Sequence, residues 1–293
     1  MSSPQVILIT GSSTGFGRLF AETLAHRGHT VLATMRDPKG RNGANAAALQ
    51  STKNIHVVEM DVTDDSSVDR GVDTCLQHAA GRIDVAINNA GYGLTGLVEA
   101  CTSDQVREIM DTNFLGAVRV SRAVLPAMRR QHSGLLLHVS SGAGRVVFPG
   151  FGIYCASKFA MEAMAEAYHY ELAGQGIESC LLEPGNYKTE IFGKIVTGSD
   201  TARTATYGAV AQIPDKLTAS LDSGGGNPQQ VADAVVAIVE TPAGQRKIRY
   251  RVSPQDFGVD QINAVSEQVQ KAVLDRFGFA DATRFTQRSA ATQ

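Results

Sequence analysis

The chain has 293 residues, of which 43% are hydrophobic and 19% charged, with a formal net charge of -2 and no tryptophan. That length suits one or two domains with a large core, and so even a charge balance gives no electrostatic reason to expect nucleic acid or an anionic membrane as partner. No continuous apolar stretch is long enough to span a bilayer, and Met1 to Gln5 leave no room for a signal peptide, so the expected location is cytoplasmic.

Short apolar runs alternate with segments of helix length along the chain. A strand over Val6–Thr10 leads into a helix over Gly15–Arg27, and a strand over Thr30–Thr34 into a helix over Gly43–Gln50. A third strand, Ile55–Met60, precedes a helix over Asp65–His78, and a fourth, Ile83–Asn88, precedes a long helix over Asp104–Arg130. Then come a strand at Leu135–Ser140, a helix at Tyr154–Ala173, and strands at Glu178–Leu182 and Lys247–Val252. Runs such as Val-Ile-Leu-Ile are too uniformly apolar for a half-exposed sheet and fit parallel strands buried on both faces. The expected fold is a doubly wound, seven-stranded parallel sheet of Rossmann type with helices on both faces, forming a single domain over residues 1–293.

Two regions depart from this alternation. Residues 186–227 mix Tyr187, Ile191, Phe192, Ile195 and Tyr207 with Gly, Ser and Thr and end in Gly224-Gly225-Gly226, as expected of a variable segment packing over a substrate. A C-terminal extension, residues 253–293, carries an amphipathic stretch at Val259 to Phe277 and is expected to fray from Thr286. The four cysteines show no Cys-x-x-Cys spacing, so neither a zinc site nor a redox pair is indicated and no metal is expected; Cys155 is read as a packing residue.

The turn after the first strand reads Thr10-Gly11-Ser12-Ser13-Thr14-Gly15-Phe16-Gly17. Glycines let the backbone approach a pyrophosphate, and the free N–H groups at a helix start attract its charge. After the second strand, where an NAD site carries an acid for the ribose, Thr34 and Met35 are followed by Arg36. A guanidinium there suits a 2′-phosphate, so NADP(H) is favoured over NAD(H), with Ser12 or Ser13 as further contacts and Asp37 pointing weakly the other way. Tyr154 and Lys158 share one helix face at i and i+4. A phenol ionises near neutrality only if its pKa falls by about three units from ~10, and a nearby lysine is expected to lower it. Ser141, after the fifth strand, would donate to a substrate oxygen.

Taken together, the glycine turn, Asn88-Asn89-Ala90-Gly91, Asn113, Ser141, Tyr154 with Lys158, and Pro184-Gly185 followed by Thr189 resemble the single-domain branch of the short-chain dehydrogenase/reductase family over residues 5–252. Ala33–Asp37 and Tyr154–Ala160 are similar to its steroid and retinol dehydrogenase group. The resemblance implies an oxidoreductase interconverting an alcohol and a carbonyl. Tyr154 would be the acid/base, Ser141 would orient the substrate, Lys158 would tune Tyr154 and hold ribose hydroxyls, and Asn113 would fix a proton-relaying water. Asp61, with Val62, would meet the adenine, Asn88, Ala90 and Gly91 the adenosine side, and Tyr187 and Thr189 the nicotinamide carboxamide. Two of these residues have a local alternative: Asn113 as a bridge between backbone groups, and Asp61 as a cap for the turn before Asp64. The substrate is expected to be apolar because Phe148, Phe151, Tyr187 and Phe192 flank the site. The resemblance also implies a homodimer or homotetramer, formed through the helices Asp104–Arg130 and Tyr154–Ala173 with Met161, Met164 and Tyr168. The alternatives are the same chemistry with NAD(H), or a sensor that binds NADP(H) without turnover.

Overall fold

The computed structural model describes residues 3–189, 195–223 and 225–286; Ile191, Phe192 and Gly224 lie outside them. Seven parallel strands form one sheet in the order β3-β2-β1-β4-β6-β7-β9. They are β1 (Val6–Ile9), β2 (Thr30–Met35), β3 (Ile55–Glu59), β4 (Val85–Asn88), β6 (Gly134–Val139), β7 (Ile177–Pro184) and β9 (Arg249–Val252). Every pairing is parallel, with Val6 opposite Thr30, Ile7 opposite Val85 and Val85 opposite Leu135. The doubly wound sheet expected from the sequence is what the chain forms.

Strand residues alternate between two cores because successive side chains point to opposite faces. Ile7 and Ile9 join Val31, Ala33, Leu135 and Leu137 on one face. There they pack under α1 (Gly15–His26), α2 (Gly43–Gln50) and α9 (Gln229–Glu240). Leu8, Leu32, Ala86 and Leu136 line the other face, beneath α3 (Asp65–His78), α5 (Gly116–Gln131) and α6 (Gly152–Leu172). The order reverses between β1 and β4, which opens a crevice at the strands' C-terminal ends.

Several details differ from the sequence reading. The long helix expected over Asp104–Arg130 is two, α4 (Ser103–Met110) and α5, joined through a π-helical turn at Asp111–Leu115. Thr102 and Gln105 close a reciprocal capping box at the start of α4. The variable segment contains α7 (Thr201–Ala205) and α8 (Ile213–Ser223), and its Val196–Thr197 (β8) pairs with Leu94–Thr95 (β5) in a second, two-stranded sheet. Past β9, α10 (Val259–Phe277) matches the amphipathic stretch. Of the stretch expected to fray, Thr286 donates its N–H to the Ala173 carbonyl at 3.1 Å and its hydroxyl to that of Gly174, and 287–293 lie outside the described residues. No helix among the described residues is long and apolar enough to cross a membrane.

Candidate active site

The glycine turn between β1 and α1 is shaped by contacts that only small residues allow. Gly11 has φ +68°, in the left-handed region, and a Cβ there would meet the Ala90 Cα at 2.9 Å. A Cβ on Gly17 would press on the Gly11 carbonyl and lie 2.5 Å from Asn89 Nδ2. Asn89 completes the turn by donating to the carbonyls of Thr10 (2.9 Å) and Gly11 (3.3 Å). Gly17→Ala should therefore cost about 1–3 kcal/mol of stability, the scale of an overpacked core, and weaken dinucleotide binding. Thermal melting with a cofactor titration checks this; an unshifted melting temperature would mean that the turn relaxes freely.

Beside this turn runs a polar cleft of about 710 Å³, lined by Gly11, Ser13, Thr14, Gly15, Phe16, Arg36, Asp61, Val62, Ala90 and Gly91. Most of the residues assigned to a dinucleotide from the sequence are thus brought together. Ser12 is not: it is buried, and its hydroxyl donates to the Ile9 carbonyl at 2.9 Å, because the tight turn folds it inward. Asn88 is turned away too, its amide donating to Ser121 Oγ (3.2 Å) and lying beside His138 Nδ1 in the sheet interior. Asp61 caps the turn at Thr63 with one oxygen, while the other stands 3.9 Å from Arg36 Nη1 at the cleft. Asp37 has both carboxylate oxygens occupied by the Gly40 and Arg41 N–H groups of its own loop, each at 2.9 Å. Arg41, Asn42, Thr63 and Asn89 also line the cleft and were not singled out from the sequence. For Asn89 the signal was its place in the run Asn88–Gly91.

A second cavity, of about 370 Å³, continues from Phe16, Asn89 and Gly91 toward the end of β6 and the variable segment. Its walls include Val139, Ala143, Phe148, Phe151, Ile195, Leu217, Leu221 and Phe257. Ser141, Tyr154, Lys158, Pro184, Gly185, Tyr187 and Thr189 face it, and Phe16, Asn89, Gly91, Tyr92 and Thr189 line both spaces. Strand β6 ends at Val139 and a single 3-10 turn begins at Ser141, whose Oγ accepts from the Ala143 N–H at 3.1 Å. Helix α6 presents Tyr154 and Lys158 one turn apart. Ser141 stands near enough to the Tyr154 phenol to act on its pKa, and Phe151 stacks on that ring at 4.2 Å.

The electrostatics differ from the sequence expectation. Burial pushes the Tyr154 phenol up to about 12, against a smaller downward effect of Ser141. Lys158 lies 5.8 Å from the ring centroid, and burial lowers it to about 8, with Glu162 acting in the other direction. Desolvation therefore dominates, and the phenol is a protonated donor across the neutral range. Lys158 Nζ donates to the Val139 carbonyl at 2.8 Å, which anchors it in the wall of the apolar cavity. Asn113, fully buried in the π-helical turn, accepts from the Tyr92 N–H and donates to the Tyr92 carbonyl, each at 3.0 Å, and donates to Ser157 Oγ at 3.1 Å. Its side chain thus takes the bridging role that the sequence offered as the alternative. Cys155 is buried and is a packing residue.

The sequence profile described as short chain dehydrogenase matches residues 5–200. The chain belongs to the short-chain dehydrogenase family. This short-chain dehydrogenase is 35% identical over 236 residues to a 3-ketodihydrosphingosine reductase of Bacteroides thetaiotaomicron, a match covering 80% of this chain and 84% of the relative. It is 36% identical over 270 residues to retinol dehydrogenase 8 of Homo sapiens, covering 86% and 84%. A solved short-chain dehydrogenase from Streptomyces avermitilis superposes with a TM-score of 0.74 at 29% identity, over 97% of this chain and all of that one. As a short-chain dehydrogenase it is an oxidoreductase acting on CH–OH groups with a nicotinamide cofactor and a small-molecule substrate.

The residues present fit that cofactor. The glycine turn leaves a cradle beside the helix start, and the buried Thr189 hydroxyl has no hydrogen-bond partner among the described residues, as a contact awaiting a carboxamide would.

Proposed function

We propose that this enzyme uses NADP(H) to interconvert a secondary alcohol and a ketone on an apolar substrate, with Tyr154 as the proton donor and acceptor. The observation that carries the reading is the Ser141–Tyr154–Lys158 set lining an apolar cavity that shares Phe16, Asn89, Gly91, Tyr92 and Thr189 with a polar, glycine-lined cleft. When bound, the cofactor supplies or accepts the hydride. The chain's own groups do the rest: Ser141 orients the substrate oxygen, Tyr154 gives it a proton or takes one, and Lys158 has further N–H groups to offer ribose hydroxyls. A phenol held protonated favours the reductive direction. The walls from Phe148, Phe151, Leu217, Leu221 and Phe257 support an apolar substrate. The relatives' names, a 3-ketodihydrosphingosine reductase and a retinol dehydrogenase, support alcohol–carbonyl interconversion. The substrate side is formed by segment 186–227 and the start of extension 253–293.

NADP(H) is supported by the way Asp37 spends both oxygens on its own loop while Arg36 stays half-exposed at the adenosine end of the cleft. Arg36→Leu should weaken NADPH by about 1.5–3 kcal/mol, the scale of a hydrogen bond to a charged group, which is roughly 10- to 150-fold. NADH binding should barely change. Fluorescence titration with both cofactors decides it, and equal losses would make Arg36 a structural residue.

A homodimer or homotetramer through α4–α5 and α6 belongs to the same reading. Met161 points into the core, which leaves Met164 and Tyr168, both partly buried, as the apolar groups on α6 for that contact. The central test is a panel of apolar ketones and secondary alcohols assayed with NADPH and NADH by nicotinamide absorbance. Turnover with NADPH is expected. Tight NADPH binding with no turnover of any carbonyl would leave the sensor reading in its place.

A further inference from the structure

Two segments flank the place where substrate and nicotinamide would meet. One is the 3-10 turn that starts at Ser141 and ends at its cap, Arg145. The other leaves β7 through Glu183 and Pro184 into Gly185, Asn186 and Tyr187, which line the apolar cavity. Each is a strand-end connection, and no backbone ladder ties the first to the second beyond the ends of β6 and β7.

A side chain from the C-terminal extension bridges them. Asn263, 8% exposed on the second turn of α10, accepts from Arg145 Nε through its Oδ1 at 2.8 Å. Its Nδ2 donates to Glu183 Oε2 at 2.7 Å. A guanidinium can only donate and a carboxylate can only accept, so the group between them must do both. An amide does so with no charge of its own, and the two partners also fix which way it points. Glu183 is fully buried, with its other oxygen 3.5 Å from Arg249 Nε, and that guanidinium also binds Glu162 (3.0 Å) and Glu166 (2.6 Å) of α6. Burial, reinforced by Glu162, pushes Glu183 up to about 7, while the Asn263 amide acts first among the groups that oppose this. The start of α10 is itself pinned: Val259 is buried 3.8 Å from the position of a Cβ on Gly142, and Asp260 pairs with Arg251 at 2.7 Å.

We infer that Asn263 is a positioning residue, which locks the Ser141 turn to the Pro184–Tyr187 segment and so lets the C-terminal helix set the geometry of the reacting groups. The inference rests on the proposed chemistry at Ser141 and Tyr154, but the lock itself can be measured without turnover. Asn263→Leu keeps the branched shape and removes both bonds. Arg145→Met keeps the aliphatic stem and removes only one.

Amide hydrogen exchange on the substrate-free protein should show Asn263→Leu raising exchange about 10-fold at residues 142–146 and 185–187, with β1 and α1 unchanged. Arg145→Met should raise it at 142–146 and in the first two turns of α10, leaving 185–187 protected. If Asn263→Leu fails to fold, the rise in α10 with Arg145→Met decides the question, because that helix is remote in sequence from the substitution. In ketone reduction, Asn263→Leu should lower kcat about 10-fold, the order expected of a fraction of an ångström's misplacement, with the NADPH Kd within about 2-fold. The double variant should be no slower than Asn263→Leu alone, because both changes break one chain of bonds. Unchanged exchange in both segments would overturn the inference, as would additive losses in kcat. A wild-type protein that reduces no ketone would count against the proposed function alone, and exchange would still decide whether Asn263 is the lock.

Discussion

Replacing Tyr154 with phenylalanine should lower ketone reduction by at least about 10²–10⁴-fold, the usual contribution of a general acid/base, equivalent to roughly 3–5 kcal/mol of barrier. The ring keeps its stacking on Phe151 and its place in the apolar cluster with Leu94 and Ala143. What disappears is the hydroxyl beside Ser141. NADPH affinity should therefore stay within about 2-fold, and the melting temperature should hold or rise slightly, since a buried polar group has been removed. Steady-state kinetics on the best substrate of the panel, beside a cofactor titration, separates the two effects. Near-normal turnover by Tyr154→Phe would remove the phenol from the chemistry.

The second large effect is expected at Lys158. Lys158→Met deletes a cation held 5.8 Å from the Tyr154 ring centroid. At about 6 Å and an effective dielectric of about 20, a unit charge is worth roughly 3 kcal/mol, or ~2 pKa units. Because burial brings Lys158 itself down to about 8, its charge is fractional in alkaline solution, and a displacement of about 1–2 units is the reasonable range. The sign follows from the phenolate: losing a nearby positive charge destabilises it, so the Tyr154 pKa rises further. Alcohol oxidation needs the ionised phenol and should climb with pH through the alkaline range in the wild type, whose phenol stands at about 12. Below about pH 8, where Lys158 carries its proton, the ionised fraction of the phenol, and with it the rate, should be about 10- to 100-fold lower in the variant. The variant should also bind NADP+ more weakly through the lost ribose contact. A pH–rate profile with saturating cofactor tests this, and equal rates below about pH 8 would assign Lys158 to cofactor binding alone.

What the sequence made legible was the sheet and the residues at its C-terminal edge. Val6–Ile9, Leu135–Val139 and their neighbours are apolar on both faces, a pattern that has few solutions besides a buried parallel strand. Gly11, Ser141, Tyr154 and Lys158 follow strand ends at fixed spacings, so knowing the strands placed the site. Helix α9 was hidden for the opposite reason. Val231, Ala232, Val235, Val236, Ile238 and Val239 are buried on one face, but Ala234 and Ala237 between them make the run nearly continuous in apolar residues, which periodicity alone does not tell from a buried strand. The π-helical turn at Asp111–Leu115 left no mark because it adds no unusual residue, only a shifted hydrogen bond. The inward rotations of Ser12 and Asn88, and the saturation of Asp37 by its own loop, depend on side-chain partners that a linear pattern does not contain. The burial that raises the Tyr154 phenol was not legible for an electrostatic reason. Spacing shows that a lysine is near, whereas desolvation depends on everything else packed around the ring.

The two cavities draw their walls from different kinds of chain. The polar cleft and the reacting groups sit on β1, β2, β4, β6 and α6, elements locked by the two main cores. The apolar cavity is closed by Phe148, Ile195, Leu217, Leu221 and Phe257, from connections whose main obligation is to cover it. Substitutions among those five can accumulate with little penalty to folding or to hydride chemistry. A lineage carrying this chain can therefore drift from one substrate to another while its catalytic apparatus stays fixed, and laboratory evolution aimed at new substrates has a small, separable set of positions to randomise.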